Sequence, residues 1–179
     1  MMEAPPTRTY WIVPERILAG PYPGSPWPHE RPPLLIALLE RGFSFFLDLT
    51  ELYENDTHPY KEDLADLAAA AGRPAIHRRI AVPDFGTPST AQMHEILAVI
   101  DAAFEEGHRI YVHCFAGVGR TATVSGCYLV HHGCNVRRAL KILNPESRGI
   151  FSRSVRRPGA PEQRRMVETW AAAEQEKRG

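Results

Sequence analysis

The sequence has no net charge, few cysteines and no long apolar run. Lysine plus arginine and aspartate plus glutamate number 21 each, so the overall charge favours neither nucleic acid nor an anionic membrane as a partner. There are three cysteines, and the spacing of Cys127 and Cys134 is not that of a disulfide framework, which favours a reducing compartment. No apolar stretch could cross a bilayer, and the N-terminus lacks a secretion signal. We therefore expect a cytoplasmic protein without a membrane partner.

Internal repeats and low-complexity segments are also absent. The 179 residues are enough for one ordinary globular domain with a sizeable core. We expect a single domain over residues 1–179, with a loose N-terminus at residues 1–9 and an irregular loop rich in proline and glycine over Pro21–Pro33.

The apolar pattern predicts short strands that alternate with helices. The predicted strands are Tyr10–Val13, Arg16–Ala19, Ser44–Leu49, Ile76–Val82 and Ile110–Val112. The predicted helices are Leu34–Arg41, Tyr60–Ala71, Ser89–Glu106, Arg120–His132, Val136–Asn144 and Pro161–Gln175. This alternation is typical of an α/β domain with a mostly parallel central sheet flanked by helices on both faces. Ligands of such sheets bind at the carboxyl ends of strands, where Cys114 lies.

One predicted strand-to-helix turn carries the strongest chemical signal. It places a thiol and a guanidinium around a glycine-containing loop, in the sequence His113-Cys114-Phe115-Ala116-Gly117-Val118-Gly119-Arg120-Thr121. Gly117 and Gly119 can adopt dihedral angles that a side chain would forbid, so successive backbone N–H groups can face inward. The following helix adds the positive end of its dipole. The sequence therefore predicts a nest for a dianionic phosphoryl group, formed by Phe115, Ala116, Gly117, Val118, Gly119 and Arg120.

Four side chains of this turn suit phosphate chemistry. The planar guanidinium of Arg120 can bind two phosphoryl oxygens at once. Cys114 lies at the mouth of the nest, where the amides, the helix terminus and Arg120 all favour a thiolate at neutral pH. We expect His113 to fix the loop through hydrogen bonds and Thr121 to donate its hydroxyl to the sulfur. Alkylation of Cys114 with the pH profile of an ordinary cysteine would contradict this interpretation.

The same nine residues resemble the HCxxGxxR[ST] signature of the protein tyrosine and dual-specificity phosphatases, in the HCxAGxGR form. The resemblance implies a protein tyrosine phosphatase-like fold and a reaction without metal or other cofactor. It also implies that Cys114 attacks phosphorus to form a cysteinyl-phosphate, while an aspartic acid upstream protonates the leaving oxygen.

Asp84 is the candidate for that acid. It lies in Val82-Pro83-Asp84-Phe85-Gly86, between a predicted strand and a predicted helix. The segment resembles the general-acid loop of the family, in which an aspartate gives a proton to the leaving group and later takes one from water. The alternative is a simple turn, because Pro-Asp-x-Gly is ordinary turn chemistry. We favour catalysis because the mechanism requires an acid.

A third segment, Arg157–Gln163, resembles the Arg-Pro-Gly…Gln stretch that compact dual-specificity phosphatases carry before their last helix. In that case Gln163 would position water or support the loops. The spacing from Gly159 to Gln163 is shorter than the family's. The alternative is a surface glutamine in the first turn of the last helix.

Charge is uneven along the chain. Six arginines lie between Glu146 and Met166, namely Arg148, Arg153, Arg156, Arg157, Arg164 and Arg165. They form a rim that attracts polyanionic substrates or simply a solvated basic face. Conversely, Glu51–Asp66 is acidic, and it either shapes specificity or is only solvated.

A metal site has weak support in the sequence. Cys127, His131, His132 and Cys134 lie close together, but their spacing matches no usual zinc pattern. Two histidines and a glycine at a helix end more often form a C-terminal cap. We therefore expect no metal ion.

We expect a cysteine-dependent phosphatase whose substrate is a phosphorylated protein, with phosphotyrosine as the preferred ester. Inositol lipids are disfavoured because lipid phosphatases of the family often place lysines inside the loop, whereas Phe115, Ala116 and Val118 are uncharged. Tyr22, Tyr53 and Phe85 are candidates for an aromatic wall of the pocket.

Other functions remain open. The same loop serves RNA 5′-phosphatases and inositol polyphosphate phosphatases, although the overall charge makes nucleic acid an unexpected partner. A non-catalytic phosphate-binding module predicts loss of Cys114, Arg120 or Asp84, and all three are present. Rhodanese-like or arsenate-reducing chemistry is disfavoured by the pairing of Asp84 with Thr121.

Overall fold

The computed structural model describes residues 4–25, 32–144 and 158–178, and these form one α/β domain. The strands are β1 (Tyr10–Val13), β2 (Ile17–Gly20), β3 (Phe45–Asp48), β4 (Ile76–Arg79) and β5 (Ile110–His113). The helices are α1 (Pro33–Glu40), α2 (Lys61–Ala70), α3 (Thr90–Glu105), α4 (Arg120–His131), α5 (Val136–Leu143) and α6 (Pro161–Arg178). A short 3-10 turn, Glu54–Asp56, precedes α2.

The five strands form one sheet in the order β1-β2-β5-β3-β4. Strands β2, β5, β3 and β4 are parallel, whereas β1 at the edge is antiparallel to β2. The prediction of a mostly parallel sheet is therefore confirmed. Strand β5 lies at the centre, so the loop that follows it opens at the middle of the carboxyl edge.

One predicted strand is too long, because β4 ends at Arg79 rather than at Val82. The chain nevertheless continues beside β3. The Ile80 N–H donates to the Asp48 carbonyl at 2.9 Å, and the Val82 N–H donates to the Leu49 carbonyl at 3.1 Å. Pro83 has no N–H and cannot continue a ladder. These bonds bring the segment that contains Asp84 to the carboxyl edge of the sheet.

Helices cover both faces of the sheet, and alternate strand residues enter two separate cores. Val112 of β5 belongs to the larger core, which is covered by α3 to α6, and Tyr111 belongs to the smaller core under α1 and α2. This agrees with the predicted layers. Burial of each large side chain contributes about 1.5–3 kcal/mol.

Helix α4 is enclosed along its length, with every residue from Arg120 to Val130 buried. Gly126 allows α6 to approach, since a Cβ atom there would lie 2.9 Å from Cγ2 of Val167. The buried helix directs its N-terminus at the loop after β5, where its dipole favours an anion.

Several predictions fall on segments outside the described residues. These include the Pro26–Arg31 part of the proline-rich loop and four of the six arginines, Arg148, Arg153, Arg156 and Arg157. Arg164 lies on α6 and pairs with Glu168 at 3.2 Å on the surface. Within the described part of the chain, none of the helices is both long and apolar enough to span a bilayer.

Candidate active site

The loop after β5 is held by the segment that follows β2. The Tyr22 N–H donates to the Phe115 carbonyl at 2.9 Å. Gly117 has φ +73°, and a Cβ atom there would lie 2.6 Å from the carbonyl oxygen of Gly20. Only glycine satisfies both the positive φ and the close approach. Cys114 is 2% exposed and lies at the base of this loop.

Gln163 joins three parts of the site. Its side chain is 2% exposed, and its Nε2 donates to the Gly86 carbonyl at 3.1 Å while its Oε1 accepts from the Ala160 N–H at 3.1 Å. A Cβ atom on Gly119 would lie 2.8 Å from the Gln163 Nε2. The glutamine is thus buried between the phosphate loop, the loop of Asp84 and the start of α6, instead of lying on the surface.

Arg120 is the centre of the polar contacts. It is 2% exposed, and its Nη1 and Nη2 pair with the two carboxylate oxygens of Glu54 at 2.5 Å each. Nη1 also donates to the Val82 carbonyl at 2.9 Å. Burial alone would lower the pKa of Arg120, but the hydrogen bonds and charge of Glu54 raise it. The guanidinium is therefore charged and fixed in orientation.

Asp84 reaches the same guanidinium from the other side. Its Oδ1 lies 2.9 Å from Nη2 of Arg120 and accepts the Phe85 N–H at 2.9 Å. The Asp84 side chain is 37% exposed. Phe85 has φ +58° and is 81% exposed, which places the turn at the rim of the site. Cys114, Arg120 and Asp84 are thus brought together at one edge of the sheet.

His113 is buried beneath the loop. Its Nε2 lies 2.6 Å from the Tyr60 hydroxyl and its Nδ1 lies 3.3 Å from the Cys114 carbonyl oxygen. Burial lowers the pKa of His113 to about 4, so the ring is neutral at neutral pH. A neutral ring that donates through Nδ1 to the Cys114 carbonyl and accepts from the Tyr60 hydroxyl joins the loop to Tyr60.

Asp48 is a buried carboxylate beside His113, and its side chain is 0% exposed. Oδ1 accepts from the Thr50 N–H at 2.9 Å and the Thr50 hydroxyl at 2.6 Å, and Oδ2 accepts from Nη2 of Arg79 at 2.8 Å. His77 Nε2 lies 3.2 Å from Oδ2. Burial alone would raise the pKa of Asp48. The pKa is instead lowered by the charge that His113 carries when it is protonated at low pH, and by the hydrogen bonds from His77 and Thr50.

Thr121 is buried at the start of α4, and its hydroxyl has no hydrogen-bond partner among the described residues. The predicted bond to the Cys114 sulfur is therefore not formed in this arrangement. A buried hydroxyl without a partner is costly, so this donor is available to a group that enters the loop.

No pattern in the sequence marks Glu54, Asp48 or Tyr60 as part of the site. Glu54 was one of several carboxylates in the acidic stretch, and nothing in the spacing marked it as the partner of Arg120. Burial alone would raise the pKa of Glu54, but its bonds to Arg120 and to the Glu51 N–H lower it. It is therefore an ionised and fixed partner of the guanidinium. Asp48 lay inside the predicted strand Ser44–Leu49, and nothing in the sequence placed it beside His113.

The chain is similar to known phosphatases. Residues 29–134 match the family described as "Polymorphic toxin system, DSP-PTPase phosphatase". Among curated proteins, the chain is 31% identical over 128 residues to mouse "Dual specificity protein phosphatase CDC14B", covering 68% of this chain and 24% of that protein. It is 31% identical over 147 residues to "Phosphatidylglycerophosphate phosphatase PTPMT1" of Arabidopsis thaliana, covering 80% of this chain and 36% of that protein. The chain thus spans about a quarter to a third of these relatives.

Among solved structures, the fold is similar to that of Tk-PTP in its active form, with a TM-score of 0.66 and 25% identity. The match covers 92% of this chain and 97% of that one. The similarity extends over nearly the whole domain and supports a protein tyrosine phosphatase-like fold.

Proposed function

The chain belongs to the DSP-PTPase family of cysteine-dependent phosphatases, and we propose that it hydrolyses phosphomonoesters through Cys114, Arg120 and Asp84. The observation that carries the proposal is the 2.9 Å contact between Arg120 and Asp84 beside the loop that begins with Cys114. A nucleophile, an oxyanion-binding cation and a candidate acid meet at one loop.

The reaction has two steps. The Cys114 thiolate attacks phosphorus, a P–S bond forms, and the ester P–O bond breaks while Asp84 gives its proton to the leaving oxygen. A water molecule then attacks the cysteinyl-phosphate and gives a proton to Asp84. The P–S bond breaks, orthophosphate leaves, and the thiolate is restored.

Arg120 links the acid to the substrate. Without substrate, Oδ1 of Asp84 lies 2.9 Å from Nη2 of Arg120. A phosphoryl group that binds this guanidinium is therefore placed next to the Asp84 carboxyl, where the leaving oxygen can receive its proton.

Glu54 and Gln163 are positioning residues in this proposal. Glu54 holds both terminal nitrogens of Arg120, so the guanidinium enters the reaction already oriented. Gln163 donates to the Gly86 carbonyl of the Asp84 loop and packs against Gly119 of the phosphate loop, so it lies between the two loops. Thr121 supplies a buried hydroxyl, without a hydrogen-bond partner among the described residues, at the start of α4.

For the substrate, we infer an aryl phosphate on a protein, with phosphotyrosine as the best candidate. Three exposed aromatic side chains lie on the loops that carry the site: Tyr53 at 66%, Phe85 at 81% and Phe115 at 41% exposure. Exposed aromatic rings at the rim of a polar site favour a substrate ring between them.

A lipid phosphate is the second candidate, because the Arabidopsis relative is named a phosphatidylglycerophosphate phosphatase. The same apolar rim would contact lipid. Glu51 and Asp56 lie close to Tyr53 in the sequence, and their negative charges disfavour binding to an anionic membrane surface. The aryl phosphate is therefore the first candidate.

Turnover of a panel tests both candidates. The panel holds a phosphotyrosine peptide, a phosphoserine peptide, an inositol polyphosphate, a 5′-triphosphorylated RNA and vesicles of phosphatidylglycerophosphate, each with Cys114→Ser as the control. We expect the phosphotyrosine peptide to have the highest kcat/KM. Faster release of phosphate from the vesicles would favour the lipid candidate, and five intact substrates would favour a binding module.

A further inference from the structure

A second cluster of polar side chains lies at the end of α4 remote from the phosphate loop. Asp101 of α3 and His131 and His132 at the end of α4 each offer one ligand atom, and these atoms all lie within 4.8 Å of one another. The Oδ1 of Asp101 lies 2.9 Å from Nε2 of His132. Ligands around a tetrahedral zinc ion at about 2.0–2.1 Å are separated by only slightly more than this distance.

The cluster also has the outer partners that metal ligands need. His131 Nδ1 lies 3.4 Å from Oε2 of Glu174 on α6, the carboxylate–histidine pairing that orients a metal-bound imidazole. Glu174 is itself held by Lys177 at 3.0 Å. Tyr128, one turn before His132, interacts with Asp101, and burial together with this interaction raises the pKa of the tyrosine to about 12. The His131 imidazole therefore has a carboxylate partner outside the cluster.

Charge and access favour a cation at this place. The C-terminal end of α4 carries the negative end of the helix dipole. The side chains of Asp101, His131 and His132 are 31%, 34% and 45% exposed, so an ion can reach them from solvent. The sequence weakly indicated the two histidines as metal ligands, together with Cys127 and Cys134, but it did not indicate Asp101, which lies thirty residues before His131. Neither cysteine is part of the cluster.

We propose that Asp101, His131 and His132 form a binding site for a divalent transition-metal ion, Zn²⁺ first, with a water molecule as the fourth ligand. Two imidazoles and one carboxylate suit Zn²⁺ better than Mg²⁺ or Ca²⁺, which prefer oxygen ligands. The ion would join α3 to α4 and, through Glu174, to α6. Helix α4 has 12 residues, so the site lies about 18 Å from the phosphate loop. Its role is therefore structural rather than catalytic.

The test uses the full chain with Cys114→Ser, because a free active-site thiolate would itself bind zinc. Titration calorimetry with Zn²⁺ should give one site, and the melting temperature should rise with added Zn²⁺. In the same background, Asp101→Asn and His132→Gln should each weaken Zn²⁺ binding at least tenfold. Glu174→Gln should weaken it by about 10-fold to 100-fold, as outer partners do.

The matched control is His108→Gln, because His108 also faces a carboxylate, Glu106 at 3.5 Å, but belongs to no three-residue cluster among the described residues. This variant should bind Zn²⁺ like the parent. Equal affinity in the parent, Asp101→Asn and His132→Gln would overturn the proposal, as would the absence of binding in the parent.

Co²⁺ gives a readout that does not depend on the folding of a variant. Bound to the Cys114→Ser protein, it should show the visible bands of a nitrogen and oxygen site with four ligands. Thiolate-to-cobalt charge transfer would place the ion on Cys127 or Cys134 and contradict the assignment. Phosphatase activity of wild-type protein and His132→Gln, both without added metal, should be the same, because the cluster is remote from Cys114.

Discussion

Asp48 and Asp84 are two carboxylates that each pair with an arginine near the phosphate loop, but their surroundings are opposite. Both oxygens of Asp48 are engaged by Thr50, Arg79 and His77, and its side chain is 0% exposed. Asp84 is 37% exposed, and its one charged partner among the described residues is Arg120.

This difference separates a structural anion from a group that can exchange protons. Asp48 has a pKa held below its usual range by groups that stay in place, so it remains charged and cannot serve as an acid near neutral pH. Asp84 is within reach of solvent and of a group bound to Arg120. The comparison predicts that changes at Asp84 affect turnover, whereas changes at Asp48 affect stability.

The largest expected effect is that of Asp84→Asn on turnover. Asparagine keeps the shape but has no proton to give, so kcat should fall by about 10²-fold to 10⁴-fold, the usual contribution of a general acid. The affinity of the Asp84→Asn variant for inorganic phosphate should be unchanged. The loss should be larger for an alkyl phosphate than for p-nitrophenyl phosphate, whose leaving group needs less protonation. Steady-state kinetics with both substrates measures this.

Asp66→Asn on the exposed face of α2 is the matched control and should leave kcat unchanged. Normal turnover of the alkyl phosphate by Asp84→Asn would remove Asp84 from the mechanism and with it the contrast with Asp48.

The second prediction concerns Asp48→Asn. Removal of the buried charge leaves Arg79 and His77 without their anion, so the free energy of unfolding should fall by about 3 kcal/mol. Because the Arg79 side chain is 23% exposed, the loss lies at the low end for a broken buried pair. Urea denaturation of the purified proteins gives the value.

An ion pair on the surface, formed by the neighbouring residue Arg78, is the control for the effect of Asp48→Asn on stability. Arg78 and Glu95 lie 3.7 Å apart and are 55% and 54% exposed, so Glu95→Gln should cost less than about 1 kcal/mol. Equal effects of the two variants would show that Asp48 is not a structural anion.

The third prediction concerns Glu54, which combines features of both aspartates, being nearly buried but placed at the site. Glu54→Gln removes the charge that orients Arg120, and kcat/KM should fall by about 10²-fold, the cost of a catalytic group misplaced by about 1 Å. The same assay with an exposed carboxylate variant, Glu62→Gln, should show no change. If Glu54→Gln lowers the free energy of unfolding but leaves kcat/KM unchanged, Glu54 is a structural anion like Asp48.

The smallest effect is a pH dependence from His113, the neighbour of Asp48. Its pKa is about 4 in the folded protein against a usual 6.5, so between these values the unfolded chain binds a proton that the folded protein does not. Stability therefore falls as pH decreases through this window. The contribution between pH 7 and pH 5 is about 2 kcal/mol. The pKa of Asp48 lies below this pH range, so Asp48 does not contribute to the change.

Urea denaturation at pH 7 and pH 5 tests this. The wild-type protein should lose about 2 kcal/mol more than His113→Gln over this range, whereas His58→Gln, at an exposed position, should behave like wild type. Identical losses in wild type and His113→Gln would mean that the imidazole is not held neutral.

Most elements of the fold could be predicted, because the apolar spacing of each segment is a local property. The helices and strands agree with the prediction to within a few residues. The main error, β4 extended to Val82, arose because Ile80 and Val82 are buried and hydrogen-bonded beside β3 without being part of a regular ladder. Apolar spacing does not distinguish these two cases.

The sequence by itself determined the phosphate loop, since a strand, two glycines, a helix start and the side chains of Cys114 and Arg120 act within nine residues. Only the tertiary structure decided which side chains far apart in the chain meet. Glu54 pairs with Arg120, which lies 66 positions away, and Asp101 lies beside His132, which is 31 positions away. Such pairs depend on how helices and strands pack in three dimensions, and the local spacing of residues along the sequence does not indicate that packing.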